Sequence, residues 1–446
     1  MPPTTAAPPS GDRFALRGDL LDFATAPAWG DVEATDSVRF RPGQWLLVER
    51  GRIVDVLRDA PGGDWPPVDH AGRLVLPGFV DAHVHSPQID VVASYGTALL
   101  DWLETHTFPA EGRHADAAHA GAAAEHFLDA LASHGTTSAV VFPTVHAASV
   151  DALFAGAEAR GMRLVAGKVL MDRHAPEGLL DPPDAADVER TTRALIERWH
   201  SRDRLAYALT VRFAPTSSPA QLAMAGRLAR EDASLYVHTH LAENEAEVRW
   251  VGELFPEARS YADVYARAGL VRERSVFAHG IWLDDADRRA LAAGGATIAH
   301  APSSNLFLGS GLFDWRSAAA TGIDVAMASD VGGGTSLCQL RTMADAYKVQ
   351  ALRGDRLTAW TALHAATRGA AEALDLGAEI GAFEPGRVAD LVVWDWAAGS
   401  VAERRHGVAR TLHERVFAWM TLGDDRNVVE TRVAGRVLHR RHSSAP

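Results

Sequence analysis

Residues 76–85 read LPGFVDAHVH. A turn pair, Pro77-Gly78, opens an apolar run that closes on two histidines, His83 and His85. Residues i and i+2 of a strand point to the same side. Both imidazoles can therefore face one metal ion, although two polar residues at a strand end would show the same pattern. The rest of the chain decides between these readings.

Downstream, helical and strand patterns alternate. A helix over 114–134 stops at Gly135, and TTSAVVFP (136–143) follows. A helix over 148–160 stops at Gly161, and RLVAGKVLM (163–171) follows. Glycine just past a helix end accepts the left-handed backbone that terminates it. A helix over 185–200 leads to LAYALTVRF (205–213). Ser218-Pro219 reads as an N-cap and a first-turn proline; its helix runs to about Asp232 and precedes SLYVHTH (234–240). Helices over 261–268 and 285–293 precede SVFAHG (275–280) and ATIAHAP (296–302), and GIDVAMASD (322–330) comes last. With the opening stretch this makes eight strands, mostly apolar and β-branched, as parallel strands covered on both faces must be. The predicted fold is α/β: a (β/α)8 TIM-like barrel over 73–383. A doubly wound open sheet is the alternative. It is disfavoured because polar residues end many strands and are not gathered at one switch point.

The chain ends read differently. Phe14–Asp22 and Gln44–Leu57 look like strands, with a hairpin turn at Glu49-Arg50-Gly51. VADLVVWD (388–395) and VVETRVAGRVLH (428–439), with a turn at Gly435, match them. A small β-sandwich domain assembled from 13–72 and 384–442 is predicted, after a disordered tail over 1–12.

Several polar residues close the barrel strands. His240 ends the fifth, and Glu243 follows at the start of a predicted helix. Glu243 is either a first-turn acid favoured by the helix dipole or an acid–base group. His238 shares the face of His240 two residues deeper, and competes with it as a ligand. His279 ends the sixth strand. Asp330 ends the eighth; an N-cap role is weakened because Gly332, Gly333 and Gly334 intervene, which puts the next helix nearer Thr335-Ser336. That glycine run is a weak phosphate-loop signal without a following Lys. Three nitrogens and a carboxylate suit zinc with an open position. More than 240 residues separate the groups, so only a closed barrel brings them together.

Composition narrows the alternatives. The 446 residues are 47% hydrophobic and 23% charged, as in a soluble globular protein. Lys+Arg is 44 and Asp+Glu is 57, a formal charge of −13. That disfavours nucleic acid, which needs a basic footprint. One cysteine, Cys338, excludes an internal disulfide, an Fe–S cluster and a cysteine-rich zinc site. No apolar run is long enough to span a membrane, and the N-terminus lacks a signal sequence. A cytoplasmic protein is expected.

At these residues the sequence resembles the amidohydrolase superfamily in its metal-dependent deaminase branch, and within that branch the guanine deaminase family. The resemblance runs from about residue 14 to 440. The segments that carry it are PGFVDAHVHSPQ (77–88), LLDWLETHTFPAE (99–111), VRFAPTSS (211–218), HTHLAEN (238–244), VFAHG (276–280), APSSNLFLGSGLFDW (301–315) and SDVGGGTS (329–336). It implies that His83, His85, His240 and Asp330 hold one zinc ion, with iron as the other candidate. It implies Glu243 as proton shuttle and His279 and Asp330 as further catalytic groups. Gln88, Arg212, Phe213 and His85 would contact the substrate, guanine, and Trp102 either walls the pocket or serves in packing. A strand-end salt bridge is the plainer role for Arg212. Ser303, Asn305 and Ser310 carry no assigned role. Gly280 and Ala301 stand where relatives often have Cys.

The fourth strand lacks the lysine that bridges two metals in binuclear relatives; Lys168 is on the third. The resemblance further implies a homodimer. Other readings are a deaminase of a related purine or pteridine such as 8-oxoguanine or isoguanine, a cyclic-amide hydrolase on the same barrel, and a non-enzymatic assembly protein. Deaminases that ligate zinc through paired cysteines are excluded by the single Cys.

Overall fold

The computed structural model describes residues 13–96 and 99–441. The expected N-terminal tail, 1–12, and residue 442 lie outside the described residues. In chain order the strands are β1 (Arg13–Phe23), β2 (Val38–Glu49), β3 (Arg52–Leu57), β4 (Pro67–Pro77), β5 (Phe79–His85), β6 (Thr136–Phe142), β7 (Arg163–Ala166) and β8 (Val169–Leu170). They continue with β9 (Leu205–Val211), β10 (Tyr236–Leu241), β11 (Ser275–His279), β12 (Thr297–His300), β13 (Asp324–Met327), β14 (Leu391–Trp394), β15 (Val428–Val433) and β16 (Arg436–Arg440).

Strands β5, β6, β7, β9, β10, β11, β12 and β13 pair in parallel around a barrel, with the short β8 beside β9. Beyond the end of β13 the chain meets β5: His85 N donates to Val331 O at 2.8 Å and Asp330 N to His83 O at 2.9 Å. The seam therefore closes at the two strands that carry His83, His85 and Asp330. Every residue of β5, β6, β9 and β11 is buried. This burial explains their largely apolar composition, since helices cover one face and the barrel interior the other.

Small side chains fill the interior, among them Val80, Ala82, Val140, Ala208, Ala299 and Ala326. By strict alternation His83 and His85 would then point outward. They do not, because the β5–β6 register slips between Asp81 and Val84. An extra residue in one strand reverses the parity of everything after it. Val84 accordingly packs in the outer core with Phe79, and both histidines face inward.

The helices start and stop as their local chemistry dictates. Ser218 caps Pro219–Glu231, its side chain accepting from Gln221 N. Helices Tyr261–Ala268 and Asp285–Ala293 coincide with the predicted bounds. Gly161 terminates Ala147–Arg160 at φ 66°, a left-handed conformation natural to glycine. The helix after β13 begins later than expected, at Gln339. The glycine run serves close approach instead: a Cβ at Gly334 would lie 1.7 Å from Ser329 O. No helix among the described residues is long and apolar enough to cross a membrane.

Both chain ends enter one mixed sheet, ordered β16-β15-β14-β4-β1-β2-β3. It folds over a core that joins Phe14, Leu46, Ile53, Val75, Leu391 and Val429. The β2–β3 hairpin returns to the C-terminal half, where Ile53 N donates to Arg387 O and Ala389 N to Gly51 O, both at 2.8 Å. The parallel pairing of β4 with β1 and the helix Leu412–Leu422 were not read from sequence. That helix sets Trp419 edge-on against Trp394, 5.2 Å between ring centroids.

Candidate metal centre and its cavity

The two β5 histidines meet His240 from β10 and Asp330 beyond β13. Nε2 of His85 lies 3.1 Å from Nε2 of His83 and 3.2 Å from Nε2 of His240. Asp330 Oδ1 lies 3.1 Å from His83 Nε2 and 3.2 Å from His85 Nε2. All four donor atoms fall within 4.8 Å of one another. Ligand atoms about 2.1 Å from a tetrahedral zinc stand about 3.4 Å apart, so the cluster surrounds an ion-sized point.

The protonation states agree with that fit. Burial, the largest influence, brings His85 down to about 4 and also lowers His83 and His240. Burial opposes the charge on Asp330, yet contacts with His83 and His85 hold its carboxyl well below the usual range. Neutral imidazoles and a carboxylate are the forms that bind metal. Two ring lone pairs facing each other at 3.1 Å repel unless a positive charge separates them.

The far side of each ring fixes its aim. His240 Nδ1 donates to Arg212 O at 2.6 Å, and His83 Nδ1 shares a hydrogen bond of 2.7 Å with His238 Nε2. Such outer hydrogen bonds set tautomer and orientation in metal sites. They also separate the two candidates on β10: His240 joins the cluster and His238 supports it from below. Asp81 ties the seam together, accepting from His83 N at 3.3 Å, Ser329 N at 3.0 Å and Ser329 Oγ at 2.5 Å.

Glu243 precedes the N-cap Asn244 and lies outside the helix Glu245–Leu254, so the first-turn reading does not hold for it. Glu247 Oε2 accepts from Glu243 N at 3.0 Å and steadies that backbone. Glu243 Oε2 lies 3.4 Å from His279 Nε2, which is also 3.7 Å from Asp330 Oδ2. His279 and Asp330 adopt φ of 73° and 49°, strained for non-glycine residues. Burial, and then the charge of Asp330, push Glu243 up to about 8.

One segment after β12 holds both groups. Ser310 Oγ donates to Glu243 Oε1 at 2.9 Å, and Asn305 Oδ1 accepts from His279 Nδ1 at 2.8 Å. Ser303 Oγ lies 2.9 Å from Thr335 Oγ1 and steadies the glycine turn.

A cavity opens at the cluster. His85, His240, Asp330, Glu243 and His279 line it together with Gln88, Arg212, Phe213 and Trp102. Trp102 packs with Leu99 and Leu308 and donates Nε1 to Ser94 O at 3.2 Å. Arg212 does form the plainer salt bridge: Nη1 donates to Glu111 Oε1 at 2.8 Å and Oε2 at 2.6 Å. It faces the cavity as well.

The amidohydrolase family pattern matches residues 74–438, a span from the end of β4 to β16. The chain belongs to the amidohydrolase family. Among similar proteins, a guanine deaminase of Escherichia coli is 42% identical over 439 residues, 96% of this chain and 98% of its own. The solved E. coli guanine deaminase superposes with a TM-score of 0.92 at 41% identity, covering 96% of this chain and 99% of that one. A guanine deaminase from C. acetobutylicum, crystallised with guanine in its active site, superposes with a TM-score of 0.86 at 25% identity, covering 96% and 100%.

In this amidohydrolase Lys168 sits between β7 and β8, ion-paired with the buried Asp181. It is committed there and turned away from bridging duty. Sequence reasoning missed Glu111, Glu247 and the contacts of Asn305 and Ser310. Glu111 closes the quoted segment 99–111, but a lone acid in the short helix Phe108–Gly112 has no spacing to mark it. Asn244 with Glu247 did carry a legible capping signal.

Proposed function

We propose that this amidohydrolase is a zinc-dependent guanine deaminase that converts guanine and water to xanthine and ammonia. The observation that carries this reading is one cavity lined both by the ligand cluster and by a wall of Gln88 and Arg212. Its nearly full-length relatives, named for that activity, support the choice of base. In this reading 73–383 carries the site, and 13–72 with 384–442 forms a composite β module.

His83, His85, His240 and Asp330 hold the ion. Zinc supplies Lewis acidity, which can bring the pKa of water to about 7. Glu243 takes a proton from the attacking water and delivers it to N3, so that C2 accepts a fourth substituent. Burial raises the Glu243 carboxyl from the usual carboxylate range toward neutral pH, the direction this role requires. His279, between Glu243 and Asp330, orients the attacking oxygen. Asp330 then accepts the hydroxyl proton and returns it through Glu243 to the departing amine, which leaves as ammonia while the first proton stays on N3 of xanthine. The committed ion pair of Lys168 speaks against a two-metal cyclic-amide hydrolase.

Incubation with guanine, followed for xanthine and ammonia, tests this with metal analysis on the same sample. Equimolar products and one ion per chain are expected. A zinc-loaded sample that leaves guanine intact refutes the activity, and turnover of another purine alone reassigns the substrate.

Ser310→Ala gives a second test. The Ser310 hydrogen bond favours the ionised Glu243. Without it the carboxyl keeps its proton to higher pH, and the acidic limb of the rate profile moves upward. Turnover at neutral pH should fall about tenfold, the value of one hydrogen bond to a charged group, with metal content unchanged.

A further inference from the structure

Behind the cavity wall lies a carboxylate that is not itself part of the cavity lining. Glu111 is 1% exposed. Both of its oxygens accept from Arg212 Nη1, and Oε1 also accepts from Gln88 Nε2 at 3.0 Å. The guanidinium lies over the Phe108 ring, 5.2 Å from its centroid, which limits its swing.

These contacts dictate what the wall can offer. An ionised carboxylate only accepts hydrogen bonds. The Gln88 amide must therefore turn its nitrogen toward Glu111. Its oxygen is taken on the other side by Gly332 N at 3.2 Å. The amide is held at both ends, and the group it has left to give is its second N–H. Arg212 spends Nη1 on Glu111; Nη2 and Nε have no protein partner among the described residues. Both wall residues thus present donors.

We propose that Glu111 is a positioning residue that locks Gln88 and Arg212 into a wall that offers N–H donors to the cavity. That wall selects rings with a carbonyl oxygen as hydrogen-bond acceptor on the edge away from the reacting carbon. A ring with an amino group there would set donor against donor. The inference rests on reading this wall as the base-binding surface. It adds the residue that sets the polarity of the wall.

Glu111→Gln tests it in the zinc-loaded enzyme. The amide keeps the shape but loses the charge, and its own N–H can turn toward the wall. Affinity is measured by calorimetry for hypoxanthine, which has the C6 carbonyl, and for purine, which lacks it. These probes need no turnover, so the outcome is separate from whether guanine is the substrate. The preference for hypoxanthine over purine should shrink at least about tenfold, the scale of one charge-assisted contact. With guanine, KM should rise by a similar factor while kcat changes less than about threefold. Glu111→Asp keeps the charge but withdraws it, and its preference should fall between the two. It serves alone if Glu111→Gln does not fold. An unchanged preference in either folded variant overturns the proposal, as does equal weakening of both probes with loss of metal, which marks a purely structural residue.

Discussion

Glu243→Gln is expected to retain its metal and lose about 10²–10⁴-fold in kcat, the usual contribution of a positioned acid–base group. The substitution is nearly isosteric. Ser310 Oγ can still donate to the amide oxygen where it now donates to Glu243 Oε1 at 2.9 Å, and Glu247 still holds the backbone N–H. The cluster of His83, His85, His240 and Asp330 does not include Glu243. What disappears is a group able to take a proton and give it back. The loss corresponds to about 3–5 kcal/mol of barrier. It should appear in kcat, with KM little changed, because the wall of Gln88 and Arg212 is untouched. Steady-state rates and metal analysis on one preparation decide the matter. Near-wild-type kcat in a metal-replete variant would remove Glu243 from the chemistry.

Stripping the metal with a chelator should abolish turnover, and one equivalent of zinc should restore it. The apoprotein should also melt several degrees lower. A ligand bound only by the folded state contributes about 4 kcal/mol when present at about 1,000 times its dissociation constant. Removing it leaves ring lone pairs crowded at 3.1–3.2 Å in a buried site. His240→Ala should mimic the chelator and resist rescue at one equivalent, because it deletes a ligand and vacates the hydrogen bond to Arg212 O. Full activity after verified removal of the ion would sink the metal assignment.

The barrel was legible because its signals are local. Tyr261–Ala268 and Asp285–Ala293 show a helical period and end in short-range chemistry, and Ser218-Pro219 marks a helix start through contacts three residues apart. β4 was missed because its first half, PVDHAGR, is mostly exposed or half-buried and lacks an apolar run. The start of the helix at Gln339 was misplaced because the glycine turn is shaped by packing against Ser329 and Gln88 and carries no cap signal of its own.

The candidate site divides in the same way. Residue types at strand ends point to His83, His85, His240, Glu243, His279 and Asp330 as candidates, and the barrel brings them to one cavity or its edge. The choice of His240 over His238 needed the ring contacts. The inward aim of the β5 histidines needed the register slip against β6. Glu111, about a hundred residues from Arg212 in sequence, needed the barrel to bring them together.

By itself, then, the sequence determined the succession of strands and helices, the closed parallel barrel that this succession implies, and the residues able to bind a metal. These follow from apolar period, caps and side-chain chemistry, which act within a few residues. Only the tertiary structure decided which ring nitrogens meet at the cluster, which serine and asparagine bond to Glu243 and His279, and which carboxylate lies against Gln88 and Arg212. Those outcomes depend on contacts between distant segments, and such contacts exist only once the β5–β13 seam has closed and burial has left each polar group a single partner within reach.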